Sequence, residues 1–149
     1  MTPERKAKKD YLSRYFWHQK KADEIWQEIL QCRQGMLPGS PKYDGMPHGS
    51  GYERDLSDHF VKLDELYPTL IDAHDRCLRS YEEIFQAIEA VKEPKYNVLL
   101  RYRYIQCKAW AFIADKMGYS EMYCKQELQD AALDAFEIPE GYEEDETSC

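Results

Sequence analysis

From Leu56 to Val91 one row of side chains repeats in steps of four and three. It runs Leu56, Phe60, Leu63, Tyr67, Leu70, His74, Cys77, Tyr81, Ile84, Ile88 and Val91. This is an a/d heptad pattern over five repeats, and it predicts a long helix with a coiled-coil-like seam. Pro68 lies inside the pattern. Proline removes a helical hydrogen bond and crowds the preceding turn, at about 3 kcal/mol. The periodicity passes through in phase, so the expectation is a kink near Tyr67, or two collinear helices, with the seam kept. Upstream, residues 4–34 read as one amphipathic helix, with Leu12, Tyr15, Ala22, Trp26 and Ile29 on a stripe widened by Ile25 and Leu30. Between the two helices Gly35, Gly39, Gly45, Gly49 and Gly51 gather with Pro38, Pro41 and Pro47, residues that oppose helix interiors. A hairpin closed by a loop over 35–53 follows.

Downstream the pattern shortens. "KEPK" at 92–95 breaks the helix, and Pro94 suits the first turn of a new one. Three short helices are predicted at about 95–105, 109–117 and 121–136. Gly118 is placed to cap the second with a positive φ, and Ser120 to cap the third. Val98, Leu99, Tyr102, Ile105, Trp110, Ile113, Ala114, Met117, Leu128, Ala131 and Leu133 fit a small three-helix core. Two short helices joined by a glycine turn, with a third ahead of them, have helix-turn-helix geometry. The expected organisation is all-α: a helical hairpin and oligomerisation region over 4–92, a helix-turn-helix domain over 94–136, and an acidic disordered tail over 137–149. The seam packs either within the chain or against a second copy; a homodimer is expected.

Charge modifies this picture. The 149-residue chain carries 20 Lys and Arg against 28 Asp and Glu, net −8, which argues weakly against a broad nucleic-acid binder. The distribution is uneven: residues 92–136 sum to net +1, and 137–149 to −6. The five cysteines have no paired spacing, and no apolar run follows the basic start "MTPERKAKKD". That reads as a reduced, cytoplasmic protein. No stretch reaches the roughly 18 apolar residues of a membrane helix. The sequence has no P-loop, nucleophile elbow or H-E-x-x-H motif, so the expectation is that the protein is not an enzyme and uses no cofactor. "HDRC" at 74–77 sets His and Cys one turn apart, half of a metal site with no matching pair.

The stretch "LLRYRYIQCKAWAFIADKMGYS" resembles region 4 of bacterial sigma factors, and "GMPHGSG" at 45–51 is similar to a loop in phage and prophage proteins of Gram-positive bacteria that join a sigma-like unit to a helical region. The resemblance covers about residues 10–136. It implies Trp110, Ile113 and Ala114 as core, Gly118 and Ser120 as turn and cap, and 121–129 as a recognition helix. The implied function is a transcription regulator that binds double-stranded DNA or RNA polymerase. The candidate DNA contacts are Lys108, Lys116, Ser120, Tyr123, Lys125, Gln126 and Gln129.

The recognition segment departs from the pattern. "SEMYCKQELQDAALDAF" has one basic residue, Lys125, against Glu121, Glu127, Asp130 and Asp134. Phosphate neutralisation by Lys and Arg dominates DNA affinity, so four carboxylates on that helix oppose docking. Lys92, Lys95, Arg101, Arg103, Lys108 and Lys116 form a compensating basic ring. The acidity opens a rival expectation: a phage-encoded inhibitor that covers the basic groove of a host nucleic-acid enzyme, such as a CRISPR nuclease. The basic "RKAKK" start reads as a solvated, frayed end.

Overall fold

The computed structural model describes residues 1–35 and 51–142, with 51–55 described by backbone alone. Most of the expected 35–53 loop, including "GMPHGS" at 45–50, and the tail beyond 142 lie outside the described residues. The described chain is all-α, without a strand. Helix α1 spans Pro3–Leu12 and α2 Arg14–Gly35. Ser13 makes the single-residue break between them, and its hydroxyl donates to the Lys9 carbonyl at 2.8 Å. The third helix, α3, runs Gly51–Glu89 as one element through Pro68. Neither a break nor a second helix follows Pro68. The Thr69 hydroxyl donates to the Glu65 carbonyl at 2.9 Å, beside the backbone bond that proline deletes. Gly35 and residues 51–53 are helical, so the connection is shorter than expected.

The chain divides into two compact units: His18–Cys77, and Met1–Trp17 with Leu78–Cys149. This differs from the expected boundary near residue 93, because long helices contribute to both units. In the His18–Cys77 unit, α2 and α3 pack antiparallel, with Cys32 of α2 against His59 of α3 at 3.5 Å. Ala22, Ile25, Ile29 and Cys32 close on Leu63, Leu70 and Ala73, with Leu66 at the margin. The seam is therefore internal, and only half of the expected row faces it. Leu63, Leu70 and Cys77 are buried, as the heptads require, but Tyr67 and His74 are exposed and Ala73 is buried in their place. A small side chain lets two helices approach closely, whereas a bulky ring would hold them apart. Burial also leaves Trp26 exposed while Ile25 fills the core.

The other unit gathers α1, the last turns of α3 and the C-terminal helices around one core. Helix α4 spans Pro94–Leu100 and continues into a π turn over Arg101–Ile105; α5 spans Trp110–Met117. The last helix starts as α6, Glu121–Tyr123, passes through a π turn over Cys124–Leu128, and ends as α7, Gln129–Ala135. Leu99, Leu100, Ile113, Cys124, Leu128, Leu133 and Phe136 are buried together with Tyr11, Leu12, Ile84, Ile88 and Val91. The expected three-helix core is thus part of a larger one, completed by α1 and α3. Val98 is exposed rather than buried, and Leu100 takes the core place. Residues 137–142 are not a free tail: Ile138 and Tyr142 pack against the same core.

Candidate nucleic-acid interface

The turn between α5 and the last helix forms as its residues dictate. Gly118 adopts φ 78°, and its N–H donates to the Ala114 carbonyl at 2.9 Å, a left-handed helix end natural to glycine. Ser120 is the N-cap, its hydroxyl accepting from the Tyr123 N–H at 3.2 Å. Trp110, Ile113 and Ala114 are buried. An unexpected backbone strain precedes α5: Cys107, a non-glycine residue, has φ 55°. It turns the chain so that the Lys108 N–H reaches the Tyr102 carbonyl at 2.9 Å.

A basic and aromatic surface lines α5. Lys108 and Lys116 lie one turn to either side of Phe112, their ammonium groups 5.0 and 5.7 Å from its ring centre. Tyr102 meets the same ring edge-on at 5.9 Å. Lys95 sits 4.8 Å from the centre of Tyr119, which packs on Tyr123 at 5.1 Å. The hydrogen bond to Tyr119 raises the Lys95 ammonium above its ordinary pKa. These cation–π pairs hold ammonium groups at the surface beside flat rings. Not every cation of the expected ring is available. Arg101 is tied to Glu89, donates to the Asn97 side chain at 2.7 Å and stacks on Phe85. Arg103 donates to the Lys108 carbonyl and lies over Trp110.

The sequence candidates are not all presented alike. Lys108, Lys116, Ser120, Lys125 and Gln126 are exposed, and Tyr123 is half-buried. Gln129 is the correction. It is 3 % exposed, and its amide donates to the Tyr104 hydroxyl at 2.7 Å. Gln129 adjoins the buried Leu128 and shares its helix face with Ala132 and Leu133, three and four residues on and both buried, so it faces the core and cannot read a base. Burial pushes the Tyr104 phenol above its ordinary pKa. Met122, which composition alone did not single out, stands 70 % exposed on the open side of the same helix. The sole signal for it in the sequence is an apolar residue outside the buried row of Cys124, Leu128 and Ala132.

The acidic residues of the last helix separate into two groups. Glu121 and Glu127 are exposed. Asp130, half-buried, and Asp134, exposed, lie within reach of α1. Arg5 reaches both Asp134 oxygens, at 2.8 and 2.7 Å, and Asp130 at 3.5 Å. Lys8 donates to the Leu133 carbonyl at 3.1 Å. The N-terminal basic run is therefore not frayed; it neutralises the C-terminal half of the last helix. No local signal shows this, because the partners lie 129 residues apart.

Among the described residues no group of three His, Cys, Asp or Glu side chains is placed to hold a metal ion, and no helix is long and apolar enough to cross a membrane. In "HDRC", His74 is exposed while Cys77 is buried. The chain matches no known family profile, no curated protein and no solved structure.

Proposed function

We propose that the protein is a cytoplasmic, non-enzymatic transcription regulator that binds double-stranded DNA through residues 108–128, as its resemblance to phage and prophage regulators implies. The observation that carries this reading is the Arg5 clamp on Asp134 and Asp130. It offsets one of the two charges on Asp130 and Asp134, and so part of the four carboxylates that oppose docking. The outward face of the last helix then offers Met122, Lys125 and Gln126, beside an α5 surface bearing Lys108 and Lys116. Lysines supply sequence-independent phosphate contact. A glutamine amide suits adenine, and an apolar side chain suits the thymine methyl. A homodimer would place two such helices on half-sites one helical turn apart.

A second reading draws on Glu121 and Glu127, which stay exposed on the same helix. They suit an inhibitor that docks on the basic groove of a host nucleic-acid enzyme. Fluorescence anisotropy of labelled duplexes, one from the protein's own upstream region and one of scrambled sequence, separates the two across a salt series. The regulator reading expects a log–log slope of several ion equivalents and tighter binding to the upstream duplex. Absence of binding at low salt overturns it in favour of the inhibitor.

A further inference from the structure

The His18–Cys77 unit is a two-helix layer with a mainly apolar side, bordered by exposed Asp23, Arg33 and Asp64, and a charged side. At about 100° per residue, Phe60, Tyr67 and Ile71 fall within about 40° of one another, roughly a quarter turn round α3 from its buried row. All three are exposed, at 56, 39 and 70 %. On α2, Trp26 (41 % exposed) and Leu30 fall the same quarter turn, in the same sense, from the row of Ala22, Ile25 and Ile29. Reversing a helix end for end reverses both its sense of rotation and the direction it faces. In an antiparallel pair, the same sense on both helices therefore lies on the same side of the layer. The opposite flanks carry Lys21, Glu24 and Glu28 on α2, and Lys62, Glu65 and Arg76 on α3, all exposed.

We infer that this apolar side is a self-association surface: two copies stack their layers into a four-helix bundle. The area fits. Taking about 200 Å² for each large side chain, Trp26, Phe60, Tyr67 and Ile71 leave roughly 400 Å² exposed. A standard interface takes about 800 Å² from each partner, somewhat over half of it apolar. A single two-helix layer satisfies one seam of each helix, and a bundle satisfies two. A second copy brings a layer of matching length and apolarity. The inference does not depend on DNA binding.

Sedimentation velocity on the full chain tests it. Wild type is expected to sediment at twice the 17.7 kDa chain mass. Phe60→Glu with Ile71→Glu, both at exposed positions, is expected to sediment as a single chain with an unchanged helical circular dichroism signal. Lys62→Glu, on the charged side, keeps the two-chain species. A single-chain wild type overturns the inference, as does a double variant that still pairs. If replacing residues 36–50 with a Gly-Ser linker turns a single-chain wild type into a two-chain species, that segment rather than a second copy covers the face.

Discussion

Arg5 forks Asp134, its Nε and Nη2 meeting the two carboxylate oxygens at 2.8 and 2.7 Å. The pair joins the first helix to the last and sets a cation against a carboxylate that stays about half exposed. Hydrogen bonding and the charge of Arg5 hold the Asp134 carboxyl below its ordinary pKa of 3.8. A depressed carboxyl contributes stability that is full above the unfolded value and lost as pH falls through the folded one. Asp134→Asn is therefore expected to lower Tm at pH 7 by a small amount, as suits an exposed pair. The difference from wild type should close as pH drops below 3.8. A thermal melt series across pH checks this; a gap that persists at the acid end refutes the linkage.

Freeing those carboxylates should also harm docking. Arg5→Ala leaves Asp130 and Asp134 without their shared cation. DNA affinity is expected to fall although Arg5 is not among the proposed contacts. Restoring affinity with Asp130→Asn and Asp134→Asn in the Arg5→Ala background identifies the carboxylates as the cause. Anisotropy titration at one fixed salt concentration reads both steps.

Lys116 and Lys125 are the outward lysines on which the DNA reading leans most. Each is expected to contribute about 0.9 to the salt slope if it meets a phosphate. Lys116→Ala and Lys125→Ala should each flatten the slope by about one unit. Charge reversal to Glu should weaken binding further, with the fold intact by circular dichroism. An unchanged slope in both alanine variants removes these lysines from the interface.

Gln129 and Tyr104 form a buried couple at 2.7 Å. Gln129→Leu leaves the Tyr104 hydroxyl buried and unpaired, at a cost of about 1–3 kcal/mol. Pairing Tyr104→Phe with Gln129→Leu removes both polar groups and is expected to recover most of that loss. Urea denaturation of the singles and the double gives the coupling.

Asn97 closes the end of α3 from outside that helix. Its amide donates to the Ile88 and Val91 carbonyls at 3.0 and 3.1 Å, while its oxygen accepts from Arg101 at 2.7 Å. Asn97→Ala removes all three bonds and should destabilise the protein by about 1–3 kcal/mol. Asn97→Asp keeps the acceptor but loses both donors, so it should recover little.

Much of the architecture was legible along the chain because it depends on neighbours in sequence. Helix periods, the proline start of α4, the left-handed Gly118 and the Ser120 cap are settled within a turn or two of backbone. The lysines and Gln126 of the candidate surface were legible for the same reason: they lie off the buried stripe of their own helices. Tertiary packing decided the rest. A heptad row reports which residues are apolar, not which flank meets the partner, so Ala73 took a place expected for His74. Gln129 looked like a base reader until the packing of its face with Ala132 and Leu133 placed it against Tyr104. The basic start looked idle until Arg5 met Asp134 across nearly the whole chain. Local backbone preference is written residue by residue, but charge pairing and the choice of buried flank arise only when distant segments close on one another.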